Sequence, residues 1–217
     1  MDETSDVPHA HRAIEHLQDR PLAFFNALLT EHFVLESARG ITVSESSSRA
    51  SVYLTTLSSS LVAYGFLAQT PVATAFLAVV LPVVVILGVF TYERLVDTSL
   101  EDVTALASIQ RIRRYYSGLL PGAGEFFPAP ADSGAPNEML DIGRRASWRG
   151  VFFTISSAIG AVNSMVAGAG VALLLDLVVP AGSAIALGVA AAVLIGVVHG
   201  IYQQRRYRQM VEVLRAR

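Results

Sequence analysis

The chain contains no cysteine and no lysine. The lack of cysteine excludes disulfides, thiol chemistry and metal sites built from thiolates. Charged side chains are scarce too, at 16% of the 217 residues, whereas 53% of the residues are hydrophobic and the mean hydropathy is +0.49. This composition is typical of a membrane protein and does not require a soluble core.

Signatures of catalysis are also missing. The sequence has no glycine-rich phosphate loop, no HExxH or GxSxG motif, and no charged residue inside its apolar runs apart from Asp176, near the end of one of them. Coupled carriers and intramembrane proteases usually need such groups near the middle of the membrane. We therefore predict that the chain is not an enzyme, and we expect no cofactor, no metal site and no nucleic-acid partner.

Long apolar runs account for most of the chain. Residues 151–179 and 181–202 form two of them, and a run of about 18 residues suffices to cross a hydrocarbon core of roughly 30 Å as a helix. The first half repeats this plan, with spans over 51–68 and 72–92 joined by a turn at Gln69. We predict an all-α integral membrane protein with four transmembrane helices arranged as two hairpins, 51–92 and 151–202.

Polar segments flank these hairpins and are predicted to form cytosolic helical extensions and a linker at 1–50, 93–150 and 203–217. All 16 arginines lie in these three segments, and the two hairpin turns have none. The positive-inside rule then places both termini and the middle segment in the cytoplasm. We expect a multi-pass protein of the plasma (inner) membrane.

Within the first polar segment, residues 21–39 are predicted to form a separate amphipathic helix that ends at Gly40. Thr42 and Glu45 have the spacing of a capping box, which predicts that a new helix starts there and continues into the first span. We expect the short helix to lie on the membrane surface or against the other helices.

Hydroxyl groups are concentrated on one face of the first span, and a ring of such faces from several subunits could line a pore. With the arginine and the glutamine near its two ends, the candidate pore-lining residues are Arg49, Ser51, Thr55, Ser58, Ser59, Val62 and Gln69. Two alternatives remain open. The hydroxyls could bond to their own helix or to a neighbouring helix, and Arg49 could be only a topology anchor.

Small residues recur every fourth position in the third and fourth spans, which lets two helix backbones approach closely. The candidate packing residues are Ser156, Gly160, Ser164, Gly168, Gly188, Gly196 and Gly200. We expect them to pack the third helix on the fourth, or alternatively one subunit on another. Asn163 is predicted to hydrogen-bond between helices, and His199 to be an interfacial residue with a polar partner.

The layout resembles that of the Orai-type calcium channels, which have four spans, both termini inside and a cytosolic helix that continues the last span. Ser48-Arg49-Ala50-Ser51 is similar to the basic, serine-containing pore entrance of that family, and Val197-Val198-His199 followed by Tyr202 resembles its fourth span. The family places a glutamate ring at the outer end of the first helix. This chain has Gln69 there, so the resemblance does not imply calcium selectivity.

Together these patterns predict the pore-forming subunit of a homo-oligomeric ion channel, with the lipid bilayer and copies of itself as partners. The alternative is a non-conducting membrane scaffold or effector. Its arginine-rich cytosolic helices would bind a cytosolic protein or anionic lipid.

Overall fold

The computed structural model describes residues 22–119, 121–126 and 154–215. They form four long helices, α1 (Leu22–Leu67), α2 (Ala73–Ser117), α3 (Ile155–Leu175) and α4 (Ala181–Arg215), and one 3₁₀ turn at Ala123–Glu125. No strand occurs in these ranges. Each long helix is long and apolar enough to cross a membrane, which confirms the prediction of an all-helical chain with four membrane-length helices.

Helix α1 corrects one prediction. It continues without a break from Leu22 to Leu67, so the predicted helix end at Gly40 and new start at Thr42 are wrong. Gly40 does not have the positive φ of a helix-ending glycine. The Thr42 hydroxyl donates to the Arg39 carbonyl one turn earlier, at 2.9 Å, which is a bond of a helix interior rather than of a cap.

Other helix ends follow local sequence signals. The Thr154 hydroxyl caps α3 by accepting a hydrogen bond from the Ser157 backbone N–H at 3.4 Å. Helix α3 ends at Leu175, before Asp176, and α4 begins directly after Pro180, whose fixed φ suits the start of a helix. Helix α2 continues through Pro82 and extends to Ser117, so residues 93–117 of the predicted polar segment 93–150 are helical.

The described chain divides into two compact units. The first contains residues 22–42 of α1 and 101–117 of α2. These two segments are antiparallel, because Arg39 binds Asp102 at 2.8 Å at one end and the Phe24 ring contacts the Tyr115 ring, 5.8 Å between centroids, at the other. The Arg113 guanidinium lies 3.8 Å from the Glu36 carboxylate.

The second unit contains the rest of α1 and α2 together with α3 and α4. Its core is built around fully buried side chains from α1 and α2, among them Tyr53, Leu95 and Val96, with Ile159 contributed by α3. Most other large apolar side chains of the four membrane-length segments point outward. An apolar exterior of this kind is what a lipid environment accepts.

Several predicted features lie outside the described residues. These are most of the linker after Ser117, the arginine-bearing approach to the third span and the first 21 residues.

Candidate functional site

The predicted hydroxyl face of α1 lies on the exterior of the second unit. Tyr53, Ala50 and Leu57 mark the face of α1 that packs into the core. On the opposite face the predicted pore-lining residues Ser51, Thr55, Ser58, Ser59 and Val62 are all exposed. Helix α1 therefore carries a polar stripe that no other described helix covers.

The outward-facing hydroxyls differ in their hydrogen bonding from other hydroxyls on α1. Thr56 donates to the Val52 carbonyl at 2.8 Å, and Ser60 donates to the Thr56 carbonyl at 2.7 Å, so both satisfy themselves within α1. The side chains of the outward set make no hydrogen bond to any described residue: Ser51, Thr55, Ser58 and Ser59. The exposed stripe can therefore still bind water, an ion or a partner.

A carboxylate shared between two arginines lies at one end of this stripe. Arg49 binds the Glu45 carboxylate at 2.8 Å, and Arg94 of α2 binds the same oxygen at 2.9 Å. Hydrogen bonds from Arg94 and Arg49 hold the pKa of the Glu45 carboxyl below its usual value of 4.5. Arg49 therefore lies at the start of the stripe, and Glu45 offsets part of its charge. At the other end Gln69 is exposed in the turn between α1 and α2.

Asn163 lies at the contact of three helices. It is fully buried, and its Oδ1 accepts a hydrogen bond from the Tyr53 hydroxyl of α1 at 3.3 Å. The amide also lies against Gly88 of α2, where an added Cβ would collide with it. The Asn163 Nδ2 has no hydrogen-bond partner in the described structure. Asn163 therefore joins α3 to α1, and Gly88 provides the space for it.

A second polar contact surrounds His199 on α4. Its Nδ1 lies 2.9 Å from the Ile195 carbonyl and 3.4 Å from the Ser164 hydroxyl of α3. The Tyr92 hydroxyl donates to the His199 carbonyl, and the two rings meet edge to face with centroids 4.5 Å apart. His199 is held between α2 and α3 by its ring and by its backbone.

One turn further along α4, Gln203 closes the contact with the start of α3. Its amide nitrogen donates to the Thr154 hydroxyl at 3.1 Å, and its Oε1 accepts from the Ser157 hydroxyl at 3.1 Å. Gln203 is 1% exposed. A buried glutamine with both ends of its amide bonded fixes the register of α4 on α3.

The small-residue positions of α3 and α4 face each other at their closest approach. A Cβ added to Gly168 would lie 2.5 Å from the Gly188 carbonyl and 2.6 Å from the Ala192 Cβ. A Cβ added to Gly196, by contrast, would have its nearest neighbour, the Ser164 Oγ, at 3.8 Å. Ser156 and Gly160 are also buried, and Gly200 is partly exposed. Beside this contact an apolar groove of about 540 Å³ lies open on the exterior.

Sequence reasoning missed several residues that hold the site together. They are Tyr53, Gly88, Tyr92, Gln203 and the ion pairs that Glu45 and Asp97 make with Arg94 and Arg206. A tyrosine in the middle of an apolar run, and a lone glycine among large aliphatic residues, were the available signals. Neither signal identifies its partner, Asn163, which lies 110 positions from Tyr53 and, as 163 minus 88, 75 positions from Gly88.

The described residues contain no group of three or more His, Asp or Glu side chains placed to hold a metal ion. In comparisons with known proteins, no family model, no curated protein and no solved structure matched this chain. The fold defines the class, an all-helical protein with four membrane-length helices. Its function is therefore inferred from the residues and their geometry.

Proposed function

We propose that this chain is the pore-forming subunit of a homo-oligomeric ion channel. It is inserted in the inner membrane as two helical hairpins, with both termini in the cytoplasm. The observation that carries the proposal is the exposed stripe of hydroxyls on α1, opposite the face that packs into the core. The bilayer and copies of the chain are its partners.

The stripe supports a pore because hydroxyl groups find hydrogen-bond partners in water but not in lipid. A hydroxyl facing lipid has no partner except its own helix, and Thr56 and Ser60 use that solution. Burying a hydroxyl without a hydrogen bond costs about 1–3 kcal/mol by mutational measures. Several copies of α1 around a common axis would place the stripe on water, where each hydroxyl is satisfied and can replace part of an ion's hydration shell.

The entrance to such a pore would be basic. In each subunit two guanidinium groups, those of Arg49 and Arg94, share the single carboxylate of Glu45, so this cluster of three side chains carries one net positive charge. A ring of these groups attracts anions to the vestibule, and salt would screen that attraction over about 10 Å. No selectivity beyond this follows from the residues.

A flux assay in liposomes tests the proposal. Thr55→Leu and Ser59→Leu together place bulky apolar groups on the stripe, and we expect ion flux to fall at least about tenfold because a dewetted constriction blocks ions. The matched control is Val79→Leu with Val83→Leu, two outward-facing positions of α2 that are 67% and 57% exposed. Equal flux in the stripe variant, the control and the wild-type protein would show that α1 does not line a pore.

One observation favours the scaffold alternative. In the first unit, Leu22, Leu29 and Phe33 share one face of α1 and remain 81%, 51% and 67% exposed. Large exposed apolar side chains beside charged ones are typical of a protein-binding surface. This alternative predicts that liposomes containing the purified protein carry no more flux than empty ones. The channel proposal predicts the opposite.

A further inference from the structure

The described arginines near the ends of the membrane-length segments of the second unit fall into two groups. Arg49 and Arg94 bind Glu45, and Arg206 binds Asp97 at 2.6 Å. Arg205 and Arg208, in contrast, are exposed and make no ion pair with a described residue. Across residues 43–49, 93–100 and 203–208 there are five arginines and three carboxylates. The two arginines of these segments that bind no carboxylate of the described residues, Arg205 and Arg208, therefore both lie on α4.

The position of these two arginines on the helix is informative. Arg205 and Arg208 are one turn apart and continue the stripe formed by Leu194, Val198 and Ile201, which are 65%, 58% and 46% exposed. That stripe is apolar and faces outward, so in a membrane it faces lipid. In a membrane, this face of α4 would contact acyl chains along the apolar stripe and would carry two guanidinium groups at the end of that stripe. Arg206 points to another side of the helix, where it binds Asp97.

We propose that Arg205 and Arg208 bind the phosphate of an anionic glycerophospholipid at the headgroup level. A guanidinium presents a planar fork of donors that matches phosphate oxygens. Two such groups at the end of a lipid-facing stripe engage the headgroup of the lipid whose chains lie along that stripe. This inference rests on the membrane insertion in the proposed function, but it is independent of the pore.

Native mass spectrometry of the detergent-solubilised protein tests the proposal, with phosphatidylglycerol and phosphatidylcholine of identical acyl chains as probes. We expect the wild-type protein to bind phosphatidylglycerol preferentially. The double variant Arg205→Gln with Arg208→Gln should lose roughly 30-fold in affinity for it, at about a factor of five per arginine. Binding of phosphatidylcholine should not change.

The control is Arg111→Gln with Arg114→Gln, which removes the same charge at the same spacing from the extension of α2. Arg111 lies about 28 Å along α2 beyond Tyr92, the last residue of the predicted span. This distance exceeds the roughly 10 Å over which salt leaves two charges unscreened. The control should keep the lipid preference of the wild-type protein. An equal loss in the control, or an unchanged preference in the Arg205/Arg208 variant, would overturn the proposal.

A soluble anion is the other possible source of the phosphate. Inorganic phosphate added at millimolar concentration should not displace bound phosphatidylglycerol, because the apolar stripe holds the acyl chains as well. Displacement at that concentration would show that the arginines bind a free anion, and the lipid proposal would fail. The flux assay is independent of these measurements, so failure of the pore and failure of the lipid site can be told apart.

Discussion

At the scale of single residues, Gly88 and Asn163 depend on each other. The amide of Asn163 is buried where three helices meet, and it fits only because residue 88 has no Cβ. The sequence predicted that Asn163 would bond between helices, and it does so through Tyr53. Its partner could not be predicted, because the pair is separated by 110 positions and is brought together only by the packing of α1 on α3.

This dependence predicts that Gly88→Ala destabilises the protein by about 1–3 kcal/mol, as overpacking a filled site does. Gly65→Ala is the matched control. Gly65 is also a helical glycine, but it has nothing within 4 Å of an added Cβ. We expect it to be neutral, or stabilising by up to about 1 kcal/mol. Thermal unfolding in detergent checks both variants, and equal midpoints for the two would contradict the account.

At the scale of elements, the sequence predicted the helices better than their contacts. The four membrane-length helices could be predicted from the length of the apolar runs. The long extensions of α2 and α4 could be predicted from hydrophobic periodicity. The helix end predicted at Gly40 was wrong, because a single glycine is a weak stop signal in a helix whose neighbouring residues bind another helix. Arg39, directly before it, binds Asp102 of α2. Tertiary contact outweighed a local preference worth about 1 kcal/mol.

The contact between α3 and α4 gives a prediction within one glycine ladder. Gly168→Ala should push the two helices apart, because the new Cβ would meet the Gly188 carbonyl at 2.5 Å. Gly196→Ala should be tolerated, since its nearest neighbour is 3.8 Å away. We expect Gly168→Ala alone to lower the free energy of unfolding by about 1–3 kcal/mol. Thermal unfolding in detergent would show this as a lower midpoint temperature. A similar loss at Gly196 would place the close approach elsewhere.

The link between α1 and α2 through Glu45 predicts a dependence on pH. Its carboxyl has a lowered pKa in the folded protein, so the pairing with Arg94 and Arg49 stabilises the fold above the usual pKa of 4.5. That contribution is lost as the pH falls through the lowered value. Glu45→Gln should therefore unfold at a lower temperature than the wild-type protein at pH 7, and the difference should shrink below pH 4.5.

Glu93→Gln is the control for this experiment, because Glu93 is an exposed carboxylate with no ion pair to a described residue. Its unfolding midpoint should match that of the wild-type protein at pH 7. A gap between Glu45→Gln and the wild-type protein that stays constant from neutral to acidic pH would show that the carboxylate charge is not what matters.

At the scale of the whole molecule, the number and length of the apolar runs predicted a protein with four membrane-length helices. The location of the hydroxyl stripe depended on the structure, because a helical face can point to the core as easily as to the outside. In this chain Tyr53 and Leu57 take the core side, and the hydroxyls of Thr55 and Ser59 are left exposed. Whether other copies of the chain enclose this stripe is the central question that follows.

The absence of cysteine makes this question directly accessible, since each introduced thiol is the only one in the chain. Thr55→Cys, Ser59→Cys and Val193→Cys would be reconstituted in liposomes and treated with a charged, water-soluble methanethiosulfonate. A thiol reacts as the thiolate, which requires water. If α1 lines a pore, the two stripe positions should react at least about tenfold faster than Val193, an apolar position of α4 that is 63% exposed. Equally slow reaction at all three positions would show that the stripe faces lipid or protein, and would contradict the pore.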